Sequence, residues 1–121
     1  MSDKIHVVIA DDHTLFREGL AGINGGTEGV GVVGQAGGME AAVRLARDLL
    51  PDIILLDIDM PGGGLEAARI VAEECPVTRI VVLTSSEEGD HLIRALKIGA
   101  RAYILTGVAA RELLRILRAV C

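Results

Sequence analysis

The sequence predicts an α/β fold, a doubly wound five-stranded parallel sheet with five helices distributed over its two faces. Three observations predict it. Five short runs rich in Val, Ile and Leu recur along the chain, at residues 5–10, 30–33, 53–56, 79–83 and 102–105. Their apolar character is nearly continuous rather than alternating, as in strands covered on both sides. Segments with helical spacing separate the runs without exception, and the short connections make consecutive strand and helix units the simplest arrangement.

Each element has its own signal. The first strand ends at Ala10 against Asp11 and Asp12, and Asp12 and Thr14 are candidate caps for a first helix. After the second strand, Met39, Ala42, Val43, Ala46 and Leu49 form one apolar stripe, with Arg44, Arg47 and Asp48 outside it. Pro51 and Asp52 are expected to close that helix and open the third strand. Leu92, Ile93 and Leu96 form a further apolar stripe, and Gly99 follows where a left-handed cap residue is expected. The last segment, 109–120, carries Leu113, Leu114, Ile116 and Leu117 inward and Arg111, Arg115 and Arg118 on its opposite side.

The chain has 121 residues, 12 basic and 17 acidic, for a formal net charge of −5. Half of it is apolar and about a quarter charged. That is the composition of one globular domain, expected to span residues 1–121. Phe16 and Tyr103 are its only aromatic residues, and Lys4 and Lys97 its only lysines. A nucleic-acid module wants both kinds in quantity, and ten arginines soften that argument without reversing it. Cys75 and Cys121 lie far apart and fit a reduced cytoplasmic protein better than a disulfide scaffold. The polar start, Met1 to Lys4, is no signal peptide, and no apolar run approaches the roughly 18 residues of a membrane span.

In a sheet of this class, ligands bind beyond the carboxyl ends of the strands. Those positions hold Asp11 and Asp12, Asp57, Thr84 with Ser85 and Ser86, and Thr106. Unit charges about 4 Å apart repel by roughly 4 kcal/mol at an effective dielectric near 20, so converging carboxylates call for a cation. Hard oxygen donors select Mg2+, which keeps open positions that a phosphoryl group commonly fills. Asp57 is then a candidate nucleophile, giving an aspartyl phosphate, and the Thr84 hydroxyl a donor to a phosphoryl oxygen. Any one of these residues alone reads as a turn former or helix cap. Matching positions on four strands are harder to explain that way.

Four stretches carry a resemblance: Val8-Ile9-Ala10-Asp11-Asp12-His13, Pro51-Asp52-Ile53-Ile54-Leu55-Leu56-Asp57-Ile58-Asp59-Met60-Pro61-Gly62, Val82-Leu83-Thr84-Ser85 and Gly99-Ala100-Arg101-Ala102-Tyr103-Ile104-Leu105. Together they resemble the receiver domain of a bacterial two-component response regulator over essentially the whole chain. Ala10-Asp11-Asp12-His13 followed by Leu15-Phe16-Arg17-Glu18-Gly19-Leu20 resembles, more narrowly, receivers that precede a LuxR-type helix-turn-helix DNA-binding domain. The resemblance implies a flavodoxin-like fold with strand order 2-1-3-4-5. It makes Asp57 the phosphoacceptor, served by a sensor histidine kinase or a small phosphodonor. It implies Mg2+ held by Asp11, Asp12, Asp57 and the backbone carbonyl of Asp59. Thr84 and Tyr103 become switch residues, while Asp59 and Ser86 tune the lifetime of the phosphate. It implies homodimers, through either the first and last helices or the face of the fourth helix, fifth strand and fifth helix. A DNA-binding output domain, absent from these residues, would carry the regulation of transcription.

One departure stands out. Relatives place a lysine after the fifth strand, where Leu105 is here followed by Thr106. Lys4 precedes the first strand and Lys97 lies on a helix, so neither substitutes for it. Threonine donates one hydrogen bond and carries no charge, so the electrostatic contact to a phosphoryl group is lost. Two readings follow: Asp57 still accepts phosphate with a weakened structural response, or the domain works without phosphorylation.

Rival readings are weaker. Gly29-Val30-Gly31-Val32-Val33-Gly34 matches the dinucleotide pattern G-x-G-x-x-G, yet it spans a strand instead of joining one to a helix. Asp57-x-Asp59 resembles the nucleophile and acid pair of haloacid dehalogenase phosphohydrolases, but Pro61 stands where that motif prefers Thr or Val. A flavodoxin-like cofactor role would need a hydroxyl-rich loop where Asp11 and Asp12 stand. His6, His13 and His91 show no metal spacing, and the arginine stripe of the last helix reads as a solvated face.

Overall fold

A computed structural model describes residues 5–11, 30–60, 62–84, 89–105 and 110–120. Along the chain these form β1 (Ile5–Ala10), β2 (Val30–Ala36), α1 (Met39–Leu49), β3 (Ile53–Asp57), α2 (Gly64–Glu74), β4 (Arg79–Thr84), α3 (Gly89–Ile98), β5 (Ala102–Leu105) and α4 (Ala110–Val120). The strands form one parallel sheet in the order β2-β1-β3-β4-β5, as expected. Four helices are described. The helix expected between the first two strands falls on residues outside the described ones.

Alternate strand residues feed two apolar layers. Val8, Ala10, Ile54, Leu56 and Val82 pack beneath α1, α2 and α3 with Ala42, Ala46, Ala68, Val71 and Ala95. Val7, Ile9, Ile53, Leu55, Val81 and Leu83 pack on the other face with Leu113, Leu114 and Leu117 of α4. Burial of each large side chain contributes about 1.5–3 kcal/mol, so continuous apolar strands are the sequence form of a sheet buried twice. Small residues dominate the inner faces of α1 and α2, which lets these helices approach the sheet closely.

The second strand runs to Ala36, three residues beyond the apolar run that predicts it. Val7 pairs with Val32 but Val8 with Gly34, so Val33 is an extra, exposed residue in a bulge of this edge strand. A β-carbon at Gly34 would stand 3.2 Å from Leu45 and Leu49, so this glycine lets α1 lie against the strand.

The helix α1 ends at Leu49 and β3 begins at Ile53, with Pro51 and Asp52 between them as expected. Leu50, ahead of Pro51, adopts the left-handed conformation (φ 44°, ψ 59°), and its amide donates to the Ala46 carbonyl at 3.0 Å. Pro51 and Asp52 also tie strands together. The Thr78 hydroxyl donates to the Pro51 carbonyl at 2.8 Å, the His6 amide to Asp52 Oδ2 at 2.8 Å and the Arg79 amide to the Asp52 carbonyl at 2.9 Å.

The apolar stripe of α3 faces outward. Ala95 is fully buried, whereas Leu92, Ile93 and Leu96 are 39%, 53% and 59% exposed. Residues 91, 95 and 98 share the inward side at i, i+4 and i+7, where Ala95 allows close approach. Periodicity locates an apolar face without saying what covers it. Gly99 takes the expected left-handed cap with φ 106°. In α4, Leu113, Leu114 and Leu117 are buried and Arg115 and Arg118 exposed, as expected.

Candidate functional site

The carboxyl ends of β1, β3 and β4 bring the expected residues to one edge of the sheet. Ala10 pairs with Leu56, so Asp11 and Asp57 follow on adjacent strands about 4.8 Å apart in the pairing direction. Asp57 pairs with Leu83, which sets Thr84 one position further along the next strand. All three are buried, Asp11 and Asp57 to 1% exposure and Thr84 completely. Burying carboxylates at a strand end is costly, whereas residues that only cap a helix sit in water.

Backbone hydrogen bonds fix the floor of the site. The Asp11 amide donates to the Ala36 carbonyl at 2.9 Å, and the Ile58 amide to the Leu83 carbonyl at 2.9 Å. Asp57 Oδ1 accepts the Asp59 amide at 3.0 Å, orienting the carboxylate from within its own turn. The Asp59 side chain is exposed. Tyr103 pairs with Val82, is half-buried against the α1–α3 layer, and its hydroxyl is buried with no hydrogen-bond partner among the described residues. Asp12, Ser85, Ser86 and Thr106 lie outside the described residues.

Among the described residues no three His, Cys, Asp or Glu side chains gather as a metal cluster. The oxygen donors of Asp11 and Asp57 suit a hard divalent ion and offer nothing to a soft one. Sequence reasoning passed over two features: the Asp59 amide as a donor to the acceptor carboxylate, and the run Gly62-Gly63-Gly64 beside it. Three consecutive glycines were the available signal. The dinucleotide-like glycine pattern, from Val30 onward, lies within β2, where no phosphate-binding turn exists.

Residues 7–118 match the family model of the response regulator receiver domain. The chain belongs to that family. This receiver is 40% identical over 117 residues to the response regulator GacA of Pseudomonas aeruginosa, covering 96% of the chain and 55% of the relative. It is 37% identical over 117 residues to the response regulator UvrY of Escherichia coli K12, covering 96% and 54%. The chain thus spans about half the length of these curated relatives. Its fold superimposes on the signal receiver domain of the putative response regulator NarL from Mycobacterium tuberculosis with a TM-score of 0.90 at 34% identity, covering 98% of this chain and 97% of that one. A LuxR-family response regulator from Aurantimonas sp. gives 0.89 at 29% identity, covering 98% and 85%. It is a receiver of the LuxR type, a module of phosphorylation-dependent signalling and not an enzyme of the phosphohydrolase kind. No helix among the described residues is long and apolar enough to cross a membrane.

Proposed function

We propose that this receiver accepts a phosphoryl group on Asp57 in the presence of Mg2+ and passes the change to an output surface. The observation that carries the reading is a carboxylate buried to 1% exposure at a strand end, beside Asp11 and oriented by the Asp59 amide. A carboxylate oxygen of Asp57 attacks phosphorus, and the P–N bond of a phosphohistidine, or the P–O bond of an acyl phosphate, breaks with its electron pair leaving on the donor. Asp11, Asp12, Asp57 and the Asp59 carbonyl would hold Mg2+, which when bound neutralises charge on the transferring group. The Thr84 hydroxyl donates to a phosphoryl oxygen, Thr106 stands at the position of the usual lysine, and Tyr103, whose hydroxyl has no hydrogen-bond partner among the described residues, turns with Thr84. Asp59 and Ser86 adjust access of water to the acyl phosphate. The added 1.5 to 2 negative charges bias the β4–α3 and β5–α4 region.

Residues 1–121 form one receiver unit in this reading, phosphorylated in the cytoplasm by a sensor histidine kinase. Transcription is regulated through a DNA-binding output domain outside these residues. Two copies associate, and the outward stripe of α3 favours that helix over the alternative first-and-last-helix interface. Leu92, Ile93 and Leu96, with Leu105 at the end of β5, leave an apolar strip in water. Antiparallel contact of α3 with its copy would set Asp90 of one beside Lys97 of the other, a self-complementary arrangement.

Incubation with acetyl phosphate and Mg2+, followed by intact mass, tests the reading. One phosphoryl adduct is expected, lost in Asp57→Asn. The second reading, a receiver that works without phosphorylation, is favoured by Thr106. It gains the case if the natural chain forms no adduct under conditions where Thr106→Lys does.

A further inference from the structure

The turn after Asp57 is built from three glycines, and they are not equivalent. Gly62 and Gly63 have φ of 88° and 92°, a region closed to most residues. The Gly63 amide donates to the Met60 carbonyl at 2.9 Å and the Gly64 amide to the Ile58 carbonyl at 3.0 Å, folding the turn back over the end of β3. Gly64, the first residue of α2, is buried in that fold. A β-carbon there would lie 2.1 Å from the Asp57 carbonyl oxygen and 2.7 Å from both the Asp57 carbonyl carbon and Ile58 Cα. All three are main-chain atoms of the acceptor's own peptide unit, so no flexible side chain can yield. At Gly62 the opposite side is tight, with Met39 Cβ of α1 2.6 Å from such an atom. At Gly63 only Glu66 Cβ approaches, at 3.9 Å. The turn is wedged between α1 and the acceptor, and Gly64 is its point of contact with the acceptor.

We infer that Gly64 is a positioning residue for Asp57: the first turn of α2 rests on the Asp57–Ile58 peptide and fixes the plane from which the carboxylate projects. This rests on the reading of Asp57 as phosphoacceptor. The side chain reaches its partners through two bonds, so a tilt of that peptide is carried to the reacting oxygen. A misplacement of about 1 Å can slow a reaction on the order of a hundredfold.

Phosphoryl uptake from acetyl phosphate at saturating Mg2+ is compared in the natural chain, Gly64→Ala and Leu117→Ala, a remote core truncation that controls for lost stability. The Asp59 amide is followed by nuclear magnetic resonance in the unphosphorylated proteins. Gly64→Ala is expected to take up phosphate at least about tenfold more slowly and to move the Asp59 amide resonance, while Leu117→Ala keeps both. A natural rate in Gly64→Ala, or equal slowing in Leu117→Ala with the Asp59 resonance unmoved in both, overturns the inference. If the natural chain itself takes up no phosphate, the acceptor reading fails, and the Asp59 resonance alone decides whether Gly64 holds the turn. Should Gly64→Ala not fold, Leu65→Ala, which loosens the seat of α2 on the core without adding an atom, replaces it. Leu65→Ala must then slow uptake more than Leu117→Ala, and equal rates reject the inference.

Discussion

Asp57 gains its character from what surrounds it, not from its own side chain. Burial between strands raises the cost of its charge, and Asp11 beside it raises it further. Removing the Asp11 charge therefore acts on the cation first. Asp11→Asn is expected to raise the Mg2+ concentration needed for phosphoryl uptake by at least about tenfold, because one anionic donor is gone, read from uptake rates across a Mg2+ titration. Thr106 acts later, on the response. Thr106→Lys is expected to enlarge the change in the Tyr103 ring resonances on phosphorylation, since an ammonium pairs with the phosphoryl group where a hydroxyl only donates to it. Identical changes in both proteins would remove Thr106 as the reason for a weakened switch.

Two elements hold conformations that their sequences do not favour. At the end of α1, Leu50 is a leucine in left-handed backbone with its side chain exposed. Such a residue costs about 1–2 kcal/mol relative to glycine in that conformation, and glycine loses part of this to chain entropy. Leu50→Gly is expected to raise stability by about 0.5–1 kcal/mol in chemical denaturation, leaving phosphoryl uptake unchanged. On α3 the anomaly is one of burial. Ile93→Glu with Leu96→Lys is expected to leave the melting temperature nearly unchanged, because neither side chain belongs to the core, and to abolish self-association in sedimentation equilibrium. A large fall in stability would mean that the stripe packs inward after all.

At the scale of the whole molecule, surface ion pairs stitch the helical layer. Arg47 of α1 donates to Glu74 of α2 at 2.5 Å, and this hydrogen bond is the first cause that holds the Glu74 carboxyl below its ordinary range. Within α2 and α4, the Arg69 and Arg115 guanidiniums do the same for Glu66 and Glu112. A carboxyl depressed in the folded state contributes stability above its unfolded value, and that contribution is lost as pH falls through the folded value. Thermal melts are therefore expected to show Glu74→Gln less stable than the natural chain at neutral pH, the gap closing below about pH 4.3. The gap should be small and shrink with salt, because these groups are exposed. The Cys75 thiol moves the other way: burial raises its value, keeping it protonated and unreactive.

Much of this molecule was legible in the chain. Continuous apolar runs such as Ile53 to Leu56 have only one economical fate, a strand covered on both faces, and their alternation with helical stripes leaves a parallel sheet as the natural packing. Parallel strands share a direction, so the residues that follow them converge, and the pattern alone brings Asp11, Asp57 and Thr84 to one edge. The rest depended on contacts distant in sequence. Periodicity marks Leu92, Ile93 and Leu96 as a stripe, but only the docking of Ala95 decides that the stripe faces water. A run of three glycines signals a turn, but only the approach of α2 to the Asp57 carbonyl separates Gly64 from its neighbours. Local pattern determines which elements form and which side of each is apolar; the angle and distance at which elements meet are set by packing across the whole core, and those decide which surface stays open and which backbone atom the acceptor leans on.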